Sequence, residues 1–277
     1  MNLGAQVAEQ IANGRLSGRL WLYSNYHCNL ACSYCLTESS PSAPRRILSR
    51  TRMVELTRQA ANLGFTGVGI TGGEPFLLPW IVEAVTDISN LLPVTVLTNG
   101  TLFNPRRLDE MEALSNQDAR LQISLDRPDP TRNDAMRGPG NFEKVVKAVP
   151  ELLRRGIPVR IATTREDQTE DEAQRLRELV RDLGVAEEDH VVRPVVDRGR
   201  AAVAGMGIPA PLEQLPPELT ISVDGAFWSP FAPTYKNGRL QTDLLLTRTT
   251  DPLTVPCSTL LDLLAVTPAA DDTSGFV

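Results

Sequence analysis

The chain has 277 residues, enough for one large domain or for one domain with a small appendage. With 42% hydrophobic and 22% charged residues it is typical of a globular protein, and its net charge of -6 argues against a nucleic-acid partner bound through a basic surface. The first 16 residues are too polar for a secretory signal, and no apolar run approaches the roughly 18 residues of a membrane span. We therefore expect a cytoplasmic protein with neither a nucleic-acid nor a membrane partner.

Short apolar runs alternate with amphipathic stretches from residue 18 to about residue 200. The predicted strands are rich in Val, Ile and Leu and cover residues 19–26, 67–73, 94–100, 120–126, 158–164 and 190–196. The predicted helices between them cover residues 48–64, 79–92, 104–116, 141–156 and 169–184. Six strands that alternate with helices predict a parallel sheet with right-handed crossovers. The pattern alone is compatible with an open doubly wound sheet and with a barrel.

The pattern changes after Arg200. Residues 201–218 are rich in Gly, Pro and Ala and are predicted to form a linker. A hairpin that turns at Asp224 and Gly225 is predicted over residues 219–231. The remaining segments are predicted to be a strand or short helix at 239–246, a helix at 257–265 and a loose tail at 267–277.

Three of the four cysteines lie within eight positions, at Cys28, Cys32 and Cys35, directly after the first predicted strand. In a reducing compartment such a group is typical of a metal site or a catalytic site rather than of a disulfide framework. Thiolates suit zinc or an iron–sulfur cluster. Three thiolates are one ligand short of a closed zinc site, and His27 is poorly placed beside Cys28 to complete a tetrahedron. A [4Fe–4S] cluster on three cysteines would leave one iron free to bind another group.

The spacing C-x3-C-x2-C, with the aromatic residue Tyr34 before the last cysteine, resembles that of the radical SAM superfamily. The resemblance implies that the open iron binds the amino and carboxylate groups of S-adenosylmethionine (SAM), with Tyr34 at the cofactor site. It further implies that reductive cleavage of SAM yields a 5'-deoxyadenosyl radical, which takes a hydrogen atom from the substrate. A flavodoxin- or ferredoxin-type electron donor is implied as well. On the three cysteines alone, chance or a structural metal is the alternative.

A second motif, TGGEPFL at residues 71–77, follows the second predicted strand. Gly72 and Gly73 allow a tight turn and a close approach of the backbone to a ligand. Glu74 places a carboxylate at the strand end, where it could accept hydrogen bonds from a ligand ammonium. The superfamily carries a Gly-Gly-Glu-Pro segment here that binds the methionine amino group, so the resemblance extends the cofactor site to Pro75. The alternative is an ordinary strand-to-helix turn.

Further matches follow in the order that the resemblance implies. In relatives, polar groups at the ends of the third and fourth strands contact the ribose and the methionine carboxylate, and these positions correspond to Asn99, Ser124 and Asp126. The segment RGPGNF, which begins at Arg137, resembles the R-G-x-G-x-F segment of the peptide-maturase-like branch, and Arg137 would pair with the methionine carboxylate. Alternatively, the first three are turn residues and Arg137 is a surface arginine.

The resemblance implies an α/β fold, a partial (β/α)6 TIM barrel that is open on one side, with a small C-terminal cap built on a degenerate twitch-like hairpin. We accordingly divide the chain into an N-terminal lead-in (1–17), a radical SAM barrel (18–200) and a C-terminal cap (201–277). In the SPASM/twitch branch the hairpin usually ends in Pro-Cys and leads to auxiliary clusters, but here the residues from 229 to 231 are Ser-Pro-Phe. Cys257 alone cannot hold such a cluster, so a single cluster is predicted.

Four further residues have two interpretations each. Cys257 could return a hydrogen atom to a substrate radical in a redox-neutral epimerisation, or it could be a buried residue that packs as a small hydrophobe. Arg193 lies in the sixth predicted strand, Arg198 and Arg200 follow it, and all three could bind a substrate carboxylate or phosphate. They could equally be solvated or pair with acids of the barrel.

These observations predict a radical SAM enzyme that modifies a ribosomal peptide or a natural-product intermediate. An epimerase or dehydrogenase acting on a small, sugar-type molecule is an alternative, because the short cap contains no obvious peptide-binding domain. A zinc- or cluster-binding protein without turnover is the alternative from another class.

Overall fold

The structure, a computed structural model, describes residues 2–267. At its centre are six parallel strands in the predicted order: β1 (Arg19–Tyr23), β2 (Gly67–Thr71), β3 (Val94–Thr98), β4 (Ala119–Ser124), β5 (Val159–Arg165) and β6 (His190–Pro194). Each strand pairs in parallel with the next one along the chain. Each observed strand overlaps its predicted segment, and the prediction of an α/β fold with a parallel sheet is confirmed.

The hydrophobic core lies between the outer face of these strands and the helices that connect them. The connecting helices are α2 (Arg50–Asn62), α3 (Ile81–Ser89), α4 (Pro105–Met111), α5 (Pro130–Arg137), α6 (Asn141–Arg154) and α7 (Glu170–Asp182). Alternate residues of a strand face opposite sides, so Leu20, Val68 and Ile70 enter this core. On the inner face the ring of Trp21 covers Gly69 so closely that a Cβ atom at Gly69 would overlap it. None of the described helices combines the length and the apolar character that a bilayer span requires.

The C-terminal hairpin extends the barrel sheet beyond β1. Its strands are β7 (Thr220–Ser222) and β8 (Gly225–Phe227), and the two-residue turn between them starts one residue earlier than predicted. Strand β7 pairs in parallel with β1, and β11 (Leu245–Thr247) pairs with β8, which gives the order β11-β8-β7-β1-β2-β3-β4-β5-β6. The predicted cap is therefore continuous with the sheet. Within the described residues β6 and β11 do not pair, so the sheet stays open as a partial barrel.

Several elements were not predicted from the sequence. They are α1 (Leu3–Ala12) in the N-terminal lead-in, α8 (Arg200–Ala204) at the start of the predicted linker, and strand β9 (Thr234–Lys236). Its hairpin partner, β10 (Arg239–Gln241), lies in the segment 239–246 that was predicted to be a strand or a short helix. Helix α5 was also missed, although Asp129 caps it and Pro130 opens it. The last helix, α9 (Thr254–Val266), begins three residues before its predicted start. Of the predicted loose tail, residues 268–277 lie outside the described residues.

Candidate active site

All three clustered cysteines line one cavity of about 180 Å³ at the carboxyl ends of the parallel strands. Polar sites of parallel barrels are built at this end, because the loops after successive strands meet there. Of the residues predicted from the sequence, the lining contains Cys28, Cys32, Tyr34, Cys35, Gly72, Gly73, Asn99, Ser124 and Arg137. Glu74, Pro75 and Asp126 are buried and do not belong to the lining.

The thiols around the cavity are free and held in defined polar contacts. The Sγ atom of Cys28 accepts from the Leu30 amide at 3.4 Å and lies 3.7 Å from the Asn99 side-chain amide. The Sγ atom of Cys32 lies 3.6 Å from the backbone oxygen of Arg137. Burial raises the pKa of Cys28 to about 12 and raises that of Cys32, so both are thiols at neutral pH until a cation binds. Within residues 2–267 no three His, Cys, Asp or Glu side chains are placed to bind one metal ion.

Arg200 fastens the loop that carries the cysteines. Its Nη1 atom donates to the backbone oxygen of Cys32 at 2.8 Å, and its Nη2 atom donates to the backbone oxygens of Glu38 and Ser39, each at 2.7 Å. The Arg200 amide donates to the backbone oxygen of Cys35 at 3.0 Å. One residue from the end of the barrel therefore holds four carbonyl groups of the loop. The sequence suggested a substrate anion for Arg200, and the structure gives it a different set of partners.

The β9–β10 hairpin holds the same loop from the other side. The amides of Asn237 and Gly238, in the hairpin turn, donate to the two carboxylate oxygens of Glu38 at 2.8 Å. The Tyr235 amide donates to the backbone oxygen of Leu36 at 2.9 Å. The C-terminal segment thus helps to fix the geometry of the cysteines.

We expect Arg200→Lys to loosen the cysteine loop. Lysine keeps the positive charge but lacks the planar fork that reaches several carbonyl groups, and each buried acceptor that loses its donor costs about 1–3 kcal/mol. The expected result is a lower free energy of unfolding and faster loss of bound iron to a chelator from the reconstituted protein. The control is Arg154→Lys, because Arg154 is exposed and, within residues 2–267, pairs only with Glu151 on its own helix. Equal iron loss from both variants would contradict the role assigned to Arg200.

The Gly-Gly-Glu-Pro turn packs against the chain that leads into the cysteines. A Cβ atom at Gly73 would overlap the backbone oxygen of His27, and one at Gly72 would lie 2.7 Å from that of Asn25. The amide of Gly73 donates to the Asn25 oxygen at 2.8 Å, and that of Glu74 donates to the His27 oxygen at 3.0 Å. The two glycines are therefore needed for the contact between the Gly-Gly-Glu-Pro turn and the chain that leads into the cysteines. This need is separate from the space that a ligand would require.

The carboxylate of Glu74 has protein partners in this structure, and its contact with a ligand ammonium stays a prediction. It has no solvent exposure and accepts hydrogen bonds from the amides of Phe76 and Asn99 and from the hydroxyl of Thr98, at 2.8–3.0 Å. Burial raises its pKa, and the three donors oppose this shift. Glu74 thus ties the turn after β2 to the end of β3, and its neighbour Pro75 opens the short turn that follows.

Asp126, Tyr34 and Arg137 form a buried polar group beside the cavity. The Tyr34 hydroxyl donates to Asp126 at 2.5 Å, and Nη1 of Arg137 donates to Asp126 at 3.0 Å and also to the Tyr34 hydroxyl. Asp126 is fully buried, so its role is to orient Tyr34 and Arg137. The Nε atom of Arg137 is buried and has no partner among the described residues. Arg137 therefore keeps a donor at a cavity wall, which fits the predicted binding of a carboxylate.

Sequence reasoning missed the residues whose partners are distant along the chain. Ser39, Thr98 and Thr164 also line the cavity, but hydroxyl residues are too common in loops and strand ends to attract attention. Gly199 is a further example, because a Cβ atom there would overlap the backbone oxygen of Leu36. Its position in a Gly-Arg pair, five residues after the end of β6, was the only signal available in the sequence.

Cys257 lies away from the cavity. It belongs to α9, is 1% exposed and packs in the hydrophobic core with residues such as Leu253 and Leu260. A hydrogen-atom donor has to reach the substrate radical, and this placement does not bring the thiol to the cysteine cavity. The arrangement favours the second interpretation, a cysteine that packs as a small hydrophobe.

We expect Cys257→Ala to retain product formation and SAM cleavage. The substitution removes one buried sulfur atom, so its main effect is a loss of about 1 kcal/mol in the free energy of unfolding. Product can be followed by mass spectrometry beside 5'-deoxyadenosine in the same reaction. Normal amounts of 5'-deoxyadenosine without product would show that Cys257 is the donor after all.

A parallel barrel with three cysteines at its carboxyl end defines the class of protein. The model of the radical SAM superfamily matches residues 22–180, which is more than half of the chain. The chain therefore belongs to the radical SAM superfamily, whose members are enzymes that use SAM and a [4Fe–4S] cluster.

The match to each individual relative covers only part of that relative's length. The chain is 31% identical over 161 residues to the AdoMet-dependent heme synthase of Methanosarcina barkeri, across 57% of this chain and 45% of that protein. It is 34% identical over 164 residues to the antilisterial bacteriocin subtilosin biosynthesis protein AlbA of Bacillus subtilis, across 57% of this chain and 36% of that protein. The chain spans about half, or less, of the length of these relatives.

Solved structures share the fold. The complex of Streptococcus suis SuiB with the precursor peptide SuiA has a TM-score of 0.59 at 19% identity, over 70% of this chain and 43% of that chain. The structure of anSMEcpe with bound AdoMet and the Cp18Cys peptide has a TM-score of 0.62 at 12% identity, over 89% of this chain and 82% of that chain. At these identities the likeness shows the partial-barrel fold.

Proposed function

We propose that this chain holds one [4Fe–4S] cluster on Cys28, Cys32 and Cys35 and binds SAM in the adjoining cavity to start a radical reaction. The observation that carries this proposal is that three free thiols and the glycine turn line one cavity at the carboxyl ends of the strands. The two motifs lie far apart in the sequence, and hydrogen bonds between their loops bring them together. Three cysteines grouped by chance would not explain why the glycine turn packs against their loop.

The residues around the cavity suit the proposed groups. Three thiolates would hold the cluster, and Arg137, with its unpaired Nε atom, would bind the methionine carboxylate. When bound, SAM and the cluster supply a 5'-deoxyadenosyl radical, which takes a hydrogen atom from the substrate. Asp126 and Tyr34 keep Arg137 in place, and Asn99 bonds to Asn29 in the cysteine loop at 2.9 Å. The protein thereby positions the reacting groups and keeps competing donors away.

We propose that the substrate is a ribosomal peptide or a related natural-product intermediate, and that a flavodoxin- or ferredoxin-type protein supplies the electron. Two relatives support the substrate class by their names: AlbA is a bacteriocin biosynthesis protein, and SkfB of Bacillus subtilis is a sporulation killing factor maturation protein, 31% identical over 147 residues. Two structures with the same fold contain peptides.

We propose that the cluster at these three cysteines is the only one this sequence holds. Cys257 is the fourth and last cysteine, and it is buried in the core. The hairpin, which would be expected to end in Pro-Cys, reads Ser-Pro-Phe at residues 229–231 and supplies no thiol. A four-thiolate auxiliary cluster therefore lacks ligands.

Anaerobic reconstitution tests the proposal. We expect the protein to take up iron and sulfide, to become brown with absorption at about 400 nm, and to convert SAM to 5'-deoxyadenosine and methionine after reduction with dithionite. Trace iron after reconstitution would refute the cluster, and a colourless zinc protein would favour a binding protein without turnover. A full cluster without SAM cleavage would refute the enzyme activity.

A further inference from the structure

The side chains of Arg193, Arg198 and Arg200, in and after β6, differ in whether they have partners. Arg198 donates to Thr234 at 3.1 Å and forms a salt bridge with Asp243 at 2.8 Å. Arg200 binds the carbonyl groups of the cysteine loop. Arg193 alone of the three has a side chain without a hydrogen bond or salt bridge to any residue from 2 to 267, and its Nε atom is buried without a partner.

Arg193 lies next to the cysteine cavity and on the same face of the sheet. It pairs in parallel register with Thr164 of β5, and Thr164 lines the cavity. Side chains of register partners in a parallel sheet project to the same side. Arg193 does not itself belong to the lining of the 180 Å³ cavity, and it is placed by its register on the face of the sheet that Thr164 shares.

Arg193 has no directly paired acid among the described residues. Glu218 is the acid whose charge acts on it, but no salt bridge within 4.0 Å joins the two groups in the described part of the chain. The Glu218 carboxylate instead accepts the indole N–H of Trp21. Arg19 and Arg160 add further positive charge, and burial lowers the pKa of Arg193. Arg193 is half-buried, and a buried donor without a partner destabilises the folded protein, so an anionic ligand would explain its presence.

We propose that Arg193 binds a carboxylate group of the substrate inside the barrel, beside the cysteine cavity. This inference rests on the proposed function, because it assigns one contact of the substrate of that enzyme. The planar guanidinium can donate two parallel hydrogen bonds to a carboxylate and so fix both its position and its orientation. In a peptide substrate, the carboxylate belongs to an Asp or Glu side chain or to the C-terminus.

The experiment compares a carboxylate probe with its neutral counterpart. The reconstituted full chain is titrated with N-acetylglutamate or N-acetylglutamine at constant ionic strength, and the melting temperature is measured for the native protein, Arg193→Gln, Arg193→Lys and Arg154→Gln. We expect N-acetylglutamate to raise the melting temperature of the native protein and of Arg154→Gln by about 2 °C. The neutral probe should have no effect, Arg193→Gln should lose the response, and Arg193→Lys should keep part of it.

The outcomes separate this inference from its alternatives. Equal responses of the native protein to both probes would overturn it, whether or not the variants fold. A full response of Arg193→Gln would also overturn it, as would a tenfold or larger loss of SAM affinity in that variant, which would assign the guanidinium to the cofactor. The response is measured without turnover, so a native protein that responds to the probe but does not cleave SAM would refute the proposed function and support the carboxylate site.

Discussion

Replacing any one of Cys28, Cys32 or Cys35 by alanine is expected to abolish SAM cleavage. Each thiolate would hold a different iron of the cluster, so two remaining thiols leave one further iron without a protein ligand. We expect the iron bound after reconstitution to fall to the level of an untreated sample, and the absorption at about 400 nm to disappear. Iron analysis, absorption spectra and the yield of 5'-deoxyadenosine measure the three effects independently.

Cys257→Ala is the matched control, because it removes the fourth thiol without touching the cavity. Circular dichroism should show that all four alanine variants keep the fold, since the barrel core does not include the three clustered thiols. Normal SAM cleavage by any of the three cluster variants would contradict the ligand assignment. Equal loss of iron from Cys257→Ala would show that the fourth cysteine takes part as well.

Gly73→Ala is expected to separate the glycine turn from the cysteine loop. The new methyl group would overlap the backbone oxygen of His27, and a backbone oxygen cannot move aside as a flexible side chain could. Overpacking of this kind costs about 1–3 kcal/mol of the free energy of unfolding. Because the same contact positions Cys28 next to the cavity, we expect weaker SAM binding and poor cluster retention. Denaturant unfolding, equilibrium binding of SAM and iron analysis test the three effects.

Gly67→Ala is the control for this substitution. Gly67 begins the same strand, β2, and a Cβ atom there would lie 3.5 Å from its nearest atom, the backbone oxygen of Pro93. The variant should therefore unfold and retain iron much as the native protein does. If both variants behave alike, the contact between Gly73 and His27 is not what holds the two loops together.

Much of the fold could be predicted because its signals are local. The apolar runs at β1 to β6 and their spacing were sufficient to predict a parallel sheet. Short elements were missed when their stability comes from tertiary partners. Strand β9 has only three residues, and its neighbouring turn is held by Glu38 from another part of the chain.

Side-chain direction could not be predicted for Glu74 and Arg200. A carboxylate at a strand end can face a ligand or the protein, and Thr98 and the amide of Asn99 decide this for Glu74. An arginine after a strand can bind an anion or carbonyl groups, and Arg200 binds those of a loop 161 to 168 residues away. Neither partner set is visible in the local sequence.

The sequence by itself determined the class of this protein, its set of parallel strands and nine of the residues that line the cysteine cavity. It could do so because C-x3-C-x2-C, Gly-Gly-Glu-Pro and the strand–helix alternation are encoded by neighbouring residues. Only the tertiary structure decided that the C-terminal hairpin continues the sheet at β1, that Arg200 holds the cysteine loop and that Arg193 is left unpaired. These features depend on which distant segments pack together, and that is settled by the free energy of the whole fold rather than by any local pattern.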